Sequence, residues 1–410
     1  MCELESIIHL NKSIIAKNYM DYTIKLKNNF NSITISIGNY ENNFQLEYFH
    51  NLKIFQSISK LDDLIDSIIK LIDKKEIKIE KNEINIILII KQLNLKLTLN
   101  KKSEEKKYIQ SINLTYKATI YAHKGNIWSM AIFPSGNFVS VGEDKSIIIF
   151  DNQYNILQTI QNAHSQAINY VNIKDENNFI TCSADKNIII WKKIGGGFIL
   201  KEKIINAHEN NICKVIFLHN EKIISCSFDC LVKIWKLNNK NKHEFVIALT
   251  HSNRIVSTLY LEDKKLLITS GENETRFWNI LNYECIKCLN DVECCSSDAL
   301  RRINNDNIIV AYDGLIKVIS INEKKVIKKI DNYLIVWCIC VLEEIGIFLT
   351  VGVGSKNIRI YNNENYQCIQ TIKGTHNDDI IGIINLNNNL IASYSFENII
   401  KIWYISENKI

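Results

Sequence analysis

The sequence predicts an all-β fold of seven four-stranded units, preceded by a small α+β domain. Three observations predict it. Segments with a common ending recur along the chain: GEDKSIIIF (142–150), SADKNIIIW (183–191), SFDCLVKIW (227–235), SGENETRFW (270–278), AYDGLIKVI (311–319), VGSKNIRIY (353–361) and YSFENIIKIW (394–403). Their last residues, Phe150, Trp191, Trp235, Trp278, Ile319, Tyr361 and Trp403, are spaced by 41, 44, 43, 41, 42 and 42 residues. A second mark runs in phase: His123, His164, His208, His251 and His376 each stand 27 positions before their aromatic. An acid stands six before it at Asp144, Asp185, Asp229, Glu272, Asp313 and Glu397. The third observation is a contrast, since residues 1–106 do not follow the repeat.

Within a repeat the chain reads as short strands separated by turn residues. IWSMAIF (127–133), FVSVG (138–142), SIIIF (146–150) and ILQTI (156–160) are typical, with turn residues such as PSGN, KDENN and DNQYN between strands. Four short strands in about 40 residues is the mark of a propeller blade. The last repeat ends soon after Trp403, leaving no room for its outer strand. An unassigned strand, YIQSINLTYKATI (108–120), precedes the first histidine, in the place that ILQTI holds before His164. We expect it to pair outside the strand ending at Trp403 and close the ring, which removes an exposed sheet edge. The pattern decays twice: blade five has no histidine, and blade six has Ser355 where the acid belongs. Such blades need either looser internal networks or compensating packing.

From about residue 108 onward the chain resembles the WD-repeat β-propeller family, on the strength of the histidine-to-tryptophan spacing and the Asp-x-x-x-x-x-Trp ending. The resemblance implies a hydrogen-bonded network inside each blade, made by the histidine, a strand serine or threonine, the acid and the aromatic. Here that network takes His123 and Asp144; His164, Thr181 or Ser183, Asp185 and Trp191; and His208, Ser225 or Ser227, Asp229 and Trp235. It also takes His251 and Trp278, Asp313, and His376 with Trp403. A carboxylate in a tight turn accepts from turn amides and an imidazole N–H, and a buried indole N–H needs an acceptor. Ser183, Asp185 and His164 could instead be read as a hydrolase triad. A triad repeated in most blades would make several active sites, so the structural reading prevails and no catalytic residue is assigned.

The resemblance further implies two sets of residues on the top face around the central channel. The residue before each turn acid gives Glu143, Ala184, Phe228, Gly271, Tyr312, Gly354 and Phe396. The position five after the histidine gives Trp128, Asn169, Cys213 and Ile381, with Trp337 at the matching place in blade six. Trp128, Asn169, Phe228, Tyr312, Trp337 and Phe396 are the candidate partner-binding residues, because exposed aromatics anchor interfaces.

The N-terminal segment reads differently. YTIKLK (22–27), SITISIG (32–38), FQLEYF (44–49), IKIE (77–80), INIILII (84–90) and LNLKLTLN (93–100) alternate as strands. Between them, SISKLDDLIDSIIKLIDKK (57–75) carries Ile58, Leu61, Leu64, Ile65, Ile68, Ile69 and Ile72 at helical spacing, behind a serine cap and first-turn aspartates. The expected organisation is therefore residues 1–100 as a small α+β domain, 101–107 (KKSEEKK) as a charged linker, and 108–410 as the propeller.

Composition narrows the function. The chain of 410 residues carries a formal charge of +5, spread evenly, so no segment offers the basic face of a nucleic-acid binder. The densest apolar run is far too short to span a bilayer, and MCELESIIHLNKS lacks the features of a secretion signal. Twelve cysteines without an export signal suggest reduced thiols and a cytoplasmic or nuclear protein. Cys285 and Cys288 form a CxxC near Cys294 and Cys295, but the first pair lies in a predicted strand. They are read as small buried apolar residues, so no metal is expected. GGG (195–197) and VGVGS (351–355) are turns without the Lys-Ser/Thr and helix of a nucleotide loop, so no cofactor is expected. LRRI (300–303) is similar to the paired-arginine motif of phosphoinositide-binding propellers, with Ile303 replacing the motif's glycine. The expected function is a non-catalytic scaffold whose top face binds a peptide or protein partner, within a multiprotein complex. The alternative is a phosphoinositide-binding propeller acting at a membrane through Arg301 and Arg302.

Overall fold

A computed structural model describes residues 112–407 apart from 219, 220, 333, 334, 355 and 388, and, before them, the backbone of eight strands. The chain divides into two compact units, Met1–Tyr108 and Ile109–Ile410. In the first, five strands between Ile7 and Phe49 pair in sequence order as one antiparallel sheet, and Ile77–Lys81, Asn85–Ile90 and Leu95–Asn100 form a three-stranded one. The six strands expected there are present, joined by Ile7–Ile8 and Ile14–Tyr19, whose short or mixed runs gave no clear alternation. The expected helix (57–75) and the linker (101–107) lie outside the described residues.

The second unit is a ring of seven four-stranded antiparallel sheets, the fold class expected from the repeat. Blade one runs Ile127–Ile132, Phe138–Gly142, Ile147–Phe150, Ile156–Ile160, the innermost strand first. The second and third strands are buried along their whole length, while the fourth is mostly exposed. That explains why the middle strands read as unbroken apolar runs: adjacent blades cover both of their faces.

In every blade the residue that ends the repeat, from Phe150 to Trp403, sits at a bulge in the pairing of the third strand with the fourth. A bulge adds one residue on one side and sharpens the local twist. It persists in blades five and six, where the histidine and acid are lost, so the repeat is preserved in the backbone beyond its side-chain network.

The turn between the second and third strands shows why aspartate recurs. Asp144, Asp185 and Asp229 accept from the backbone N–H two residues on, at 3.1, 3.0 and 3.0 Å. The residue between, Lys145, Lys186 or Cys230, is held in the left-handed region at φ 64°, 69° and 69°. An aspartate bond of this kind supports a conformation that side chains otherwise disfavour. At Gly142 and Gly271 the reason is space, because a Cβ would lie 2.2 Å from the Asn126 carbonyl or 2.1 Å from that of Arg254.

Blade seven takes strands from both ends of the unit. Ile380–Asn387, Leu390–Ser395 and Ile399–Glu407 are followed outward by Ile112–Tyr121, paired from Ile399↔Tyr121 to Glu407↔Ile112.

Candidate functional site

Two places in the propeller gather chemistry-bearing residues: the network inside each blade, and the face formed by the turns between second and third strands. In blade two, His164 Nδ1 donates to Asp185 at 3.1 Å, and its Nε2 lies 2.9 Å from the Thr181 hydroxyl. Trp191 donates its indole N–H to the same hydroxyl at 3.0 Å. One hydroxyl thus serves both the indole and the imidazole, which ties the aromatic to the histidine. Blade three repeats this with Asp229, His208, Ser225 and Trp235, and blade seven with Glu397, His376, Ser393 and Trp403. In blade one, His123 bridges Asp144 and Ser140, and Phe150 stacks on Phe138 at 4.7 Å.

Ser183 is outside the network. Its hydroxyl donates to the Ala167 carbonyl at 2.8 Å and accepts from the Asp185 N–H. His164, Ser183 and Asp185 are all buried, with no more than 9% of any residue exposed, so a substrate cannot reach them. The hydroxyl that touches the histidine is held by an indole.

Burial dominates the ionisation of these groups. It pushes His251 and His376 down to about 4, and it lowers His208 as well. The carboxylates shift down despite their own burial, because histidine, hydroxyl and backbone donors outweigh it; Glu274 and Glu397 fall to about 2. The pairs of His251 with Glu274 and of His376 with Glu397 are therefore a carboxylate and a neutral imidazole at neutral pH.

Three sequence assignments change in blades four to six. In blade four the turn after the second strand is one residue shorter than in blade one, since Gly271 takes the place of Gly142 in the pairing, seven residues before Trp278. A fixed offset from the aromatic therefore points to Glu272, while Glu274 is the acid beside His251, 3.0 Å from Nδ1 without hydrogen-bond alignment. Glu272 occupies the rim position assigned to Gly271 and pairs with Arg254. In blade five Tyr312 pairs with Leu315, so Asp313 and Gly314 form a two-residue turn with φ of 41° and 77°. Asp-Gly at positive φ is the preferred chemistry of that hairpin. Asp313 is exposed there and joins no such network among the described residues. Blade five is packed instead by aliphatic side chains, including Ile308, Ile309, Val310, Ile316 and Val318. In blade six the buried Asn332 accepts from the Tyr361 hydroxyl, and Tyr361 stacks on Phe348 at 4.9 Å. Ser355 lies outside the described residues.

On the rim, Phe396, Trp128 and Trp337 form one cluster. Phe396 meets Trp128 edge-on at 6.4 Å and Trp337 at 5.6 Å, so blades seven, one and six share it. All three rings are half-buried against the core. Phe228 and Tyr312 stand apart from it: the Arg254 guanidinium lies over the Phe228 ring at 5.2 Å, and Tyr312 is 37% exposed. Asn169 is half-buried and donates its amide to the Ile212 carbonyl at 2.8 Å, tying blade two to blade three, and Ile381 is buried.

Sequence reasoning missed a charged cluster on the innermost strands. Lys214 is buried, donating to the Ser297 carbonyl at 2.6 Å, with its ammonium 5.0 Å from the centroid of the Tyr170 ring. Asp298, also buried, lies 4.0 Å from Lys214 and binds Arg301. Burial pushes Lys214 down to about 8, with Arg301 adding to the shift and Asp298 opposing it. A lysine in the middle of ICKVIF was the available signal. The two arginines of LRRI accordingly diverge: Arg301 binds Asp298, and Arg302 forms a paired contact to Asp263 at 2.8 and 2.9 Å.

Cys285 is exposed and Cys288 half-buried, which corrects the reading of them as buried residues. Both lie on an outermost strand, which no further strand covers.

The WD domain, G-beta repeat family model matches residues 114–151, 155–192 and 200–236. Residues 114–236 are thus WD40 repeats, opening a seven-bladed propeller. The matched stretch stops before the blades whose turns and networks are altered. No curated protein matches the chain. WD40 propellers generally mediate protein–protein interactions and are typically non-catalytic scaffolds.

Proposed function

We propose that this chain is a non-catalytic interaction scaffold, acting in the cytoplasm or nucleus, whose propeller binds a peptide or protein partner at the aromatic rim. The observation that carries the reading is the Trp128–Phe396–Trp337 cluster, where three half-buried rings from three successive blades meet on one face. Rigid aromatic rings contribute large contact area at small entropic loss, which is why they dominate interface energetics. The conserved-geometry residues inside the blades are buried and engaged with one another, so the surface that varies is what a partner can read.

The membrane-lipid alternative draws no support from the arginine pair. Both guanidiniums are engaged by carboxylates and lie in different places. The test is in-cell crosslinking with identification of captured proteins, on the wild type and on a Trp128→Ala/Phe396→Ala variant with unchanged thermal unfolding. Partners should be lost from the variant. Retention of every partner would refute the rim as the docking surface.

A further inference from the structure

We propose that the face opposite the aromatic rim carries a second docking groove, over blade seven, which takes an extended lysine- or arginine-rich segment of a partner protein. The groove originates in turn lengths. In blade seven Asn387 pairs with Leu390, so the first hairpin turns in two residues. Its neighbours are longer. Blade one passes through Pro134, Ser135 and Gly136 between paired residues Ile132 and Phe138, and blade six through the 3-10 turn Glu343–Ile345. Beside this short turn and its two longer neighbours lies a groove of about 880 Å³. That volume lies within the range of ligand-binding clefts.

Its lining fits one kind of occupant. The floor includes the apolar Leu386 and Ile405, both buried, which suits the aliphatic stems of lysine or arginine. On one wall Glu343 and Glu344 are exposed, and neither forms an ion pair among the described residues. No lysine or arginine is among the lining residues. Lys117 lies over the Tyr154 ring, 5.4 Å from its centroid, outside that lining. On the other wall the Tyr154 hydroxyl is buried without a hydrogen-bond partner among the described residues. The exposed amides of Asn152 and Asn389 offer bonds to an extended chain.

The experiment uses the full chain and a fluorescein-labelled peptide of alternating lysine and serine, with one of alternating glutamate and serine as control. Fluorescence anisotropy should show binding of the lysine peptide only, weakening as salt rises. Glu343→Gln with Glu344→Gln should weaken it about tenfold. Phe396→Ala on the rim should leave this binding unchanged while removing the partners captured there, so the two sites are separable. Equal affinity of the double glutamine variant, or equal binding of the glutamate peptide, would overturn the proposal.

Discussion

At the residue scale, the titration of two buried blade histidines, His251 and His376, makes stability depend on pH. His251 and His376 have folded values near 4, below the unfolded value of about 6.5. The unfolded chain therefore binds protons first, and stability falls as pH drops from about 6.5 toward 4. Glu274 and Glu397, depressed to about 2, add a second loss as pH falls from about 4.5 toward 2. Both act in the same direction. Urea midpoints should hold from pH 7.5 to about 6.5 and decline from there to pH 3.5; a flat profile down to pH 4.5 would refute the neutral-imidazole assignment. Thr181→Val removes the hydroxyl shared by His164 and Trp191 and should destabilise by about 2–4 kcal/mol, as two buried donors or acceptors lose their partner. Ser183→Ala, two residues on along the same strand, should have a smaller effect, since it loses only turn bonds.

The same scale shows how far side chains could be read from sequence. The histidine, aspartate and tryptophan of blades two and three keep constant spacing because their turns have constant length. Thr181 and Ser183, two apart on one strand, could not be told apart without the strand's pairing. Glu274 was missed because one residue fewer in the turn moves the acid past the fixed offset. Lys214 was invisible as a partner of Asp298, since 84 residues separate them and only ring closure brings them together.

At the element scale, the outer strand of blade seven holds the ring shut. Ile112–Tyr121 pairs with Ile399–Glu407 along its full length, and Ile112 and Ile120 are buried. Deleting residues 1–121 would expose the edge of the third strand and the apolar face beneath it. Thermal unfolding of that truncation should fall well below that of a chain lacking only residues 1–105. Identical melting temperatures would show that the strand is dispensable. The inner strands carry the second element-level prediction. Removing one member of a buried ion cluster leaves the others uncompensated, so Asp298→Asn should destabilise by about 3–5 kcal/mol in urea unfolding. Lys214→Met should be milder, because Arg301 remains to balance Asp298 and the apolar stem is replaced by one of similar shape.

At the scale of the whole molecule, the ring presents two faces built from different turns. One gathers the second-to-third-strand turns and holds the aromatic cluster; the other gathers the first hairpins and holds the acidic groove. Blades six, seven and one contribute to both, so the two proposed partner surfaces concentrate on the blade that closes the ring and its neighbours. A single variant on either face should affect one binding activity and spare the other, which a paired anisotropy and crosslinking experiment would read directly.

The sequence by itself determined the number of blades, their order and the histidine, aspartate and tryptophan of the regular network. Those depend on periods within about 40 residues, where spacing along the chain is nearly spacing in space. Tertiary structure decided what lies between blades: which rings meet at the rim, which arginine points where, which turn is shorter than its neighbours. Blade seven joins residues nearly 300 apart in sequence, and no local pattern encodes such a meeting. The repeat fixes each blade, and closure of the ring chooses the neighbours.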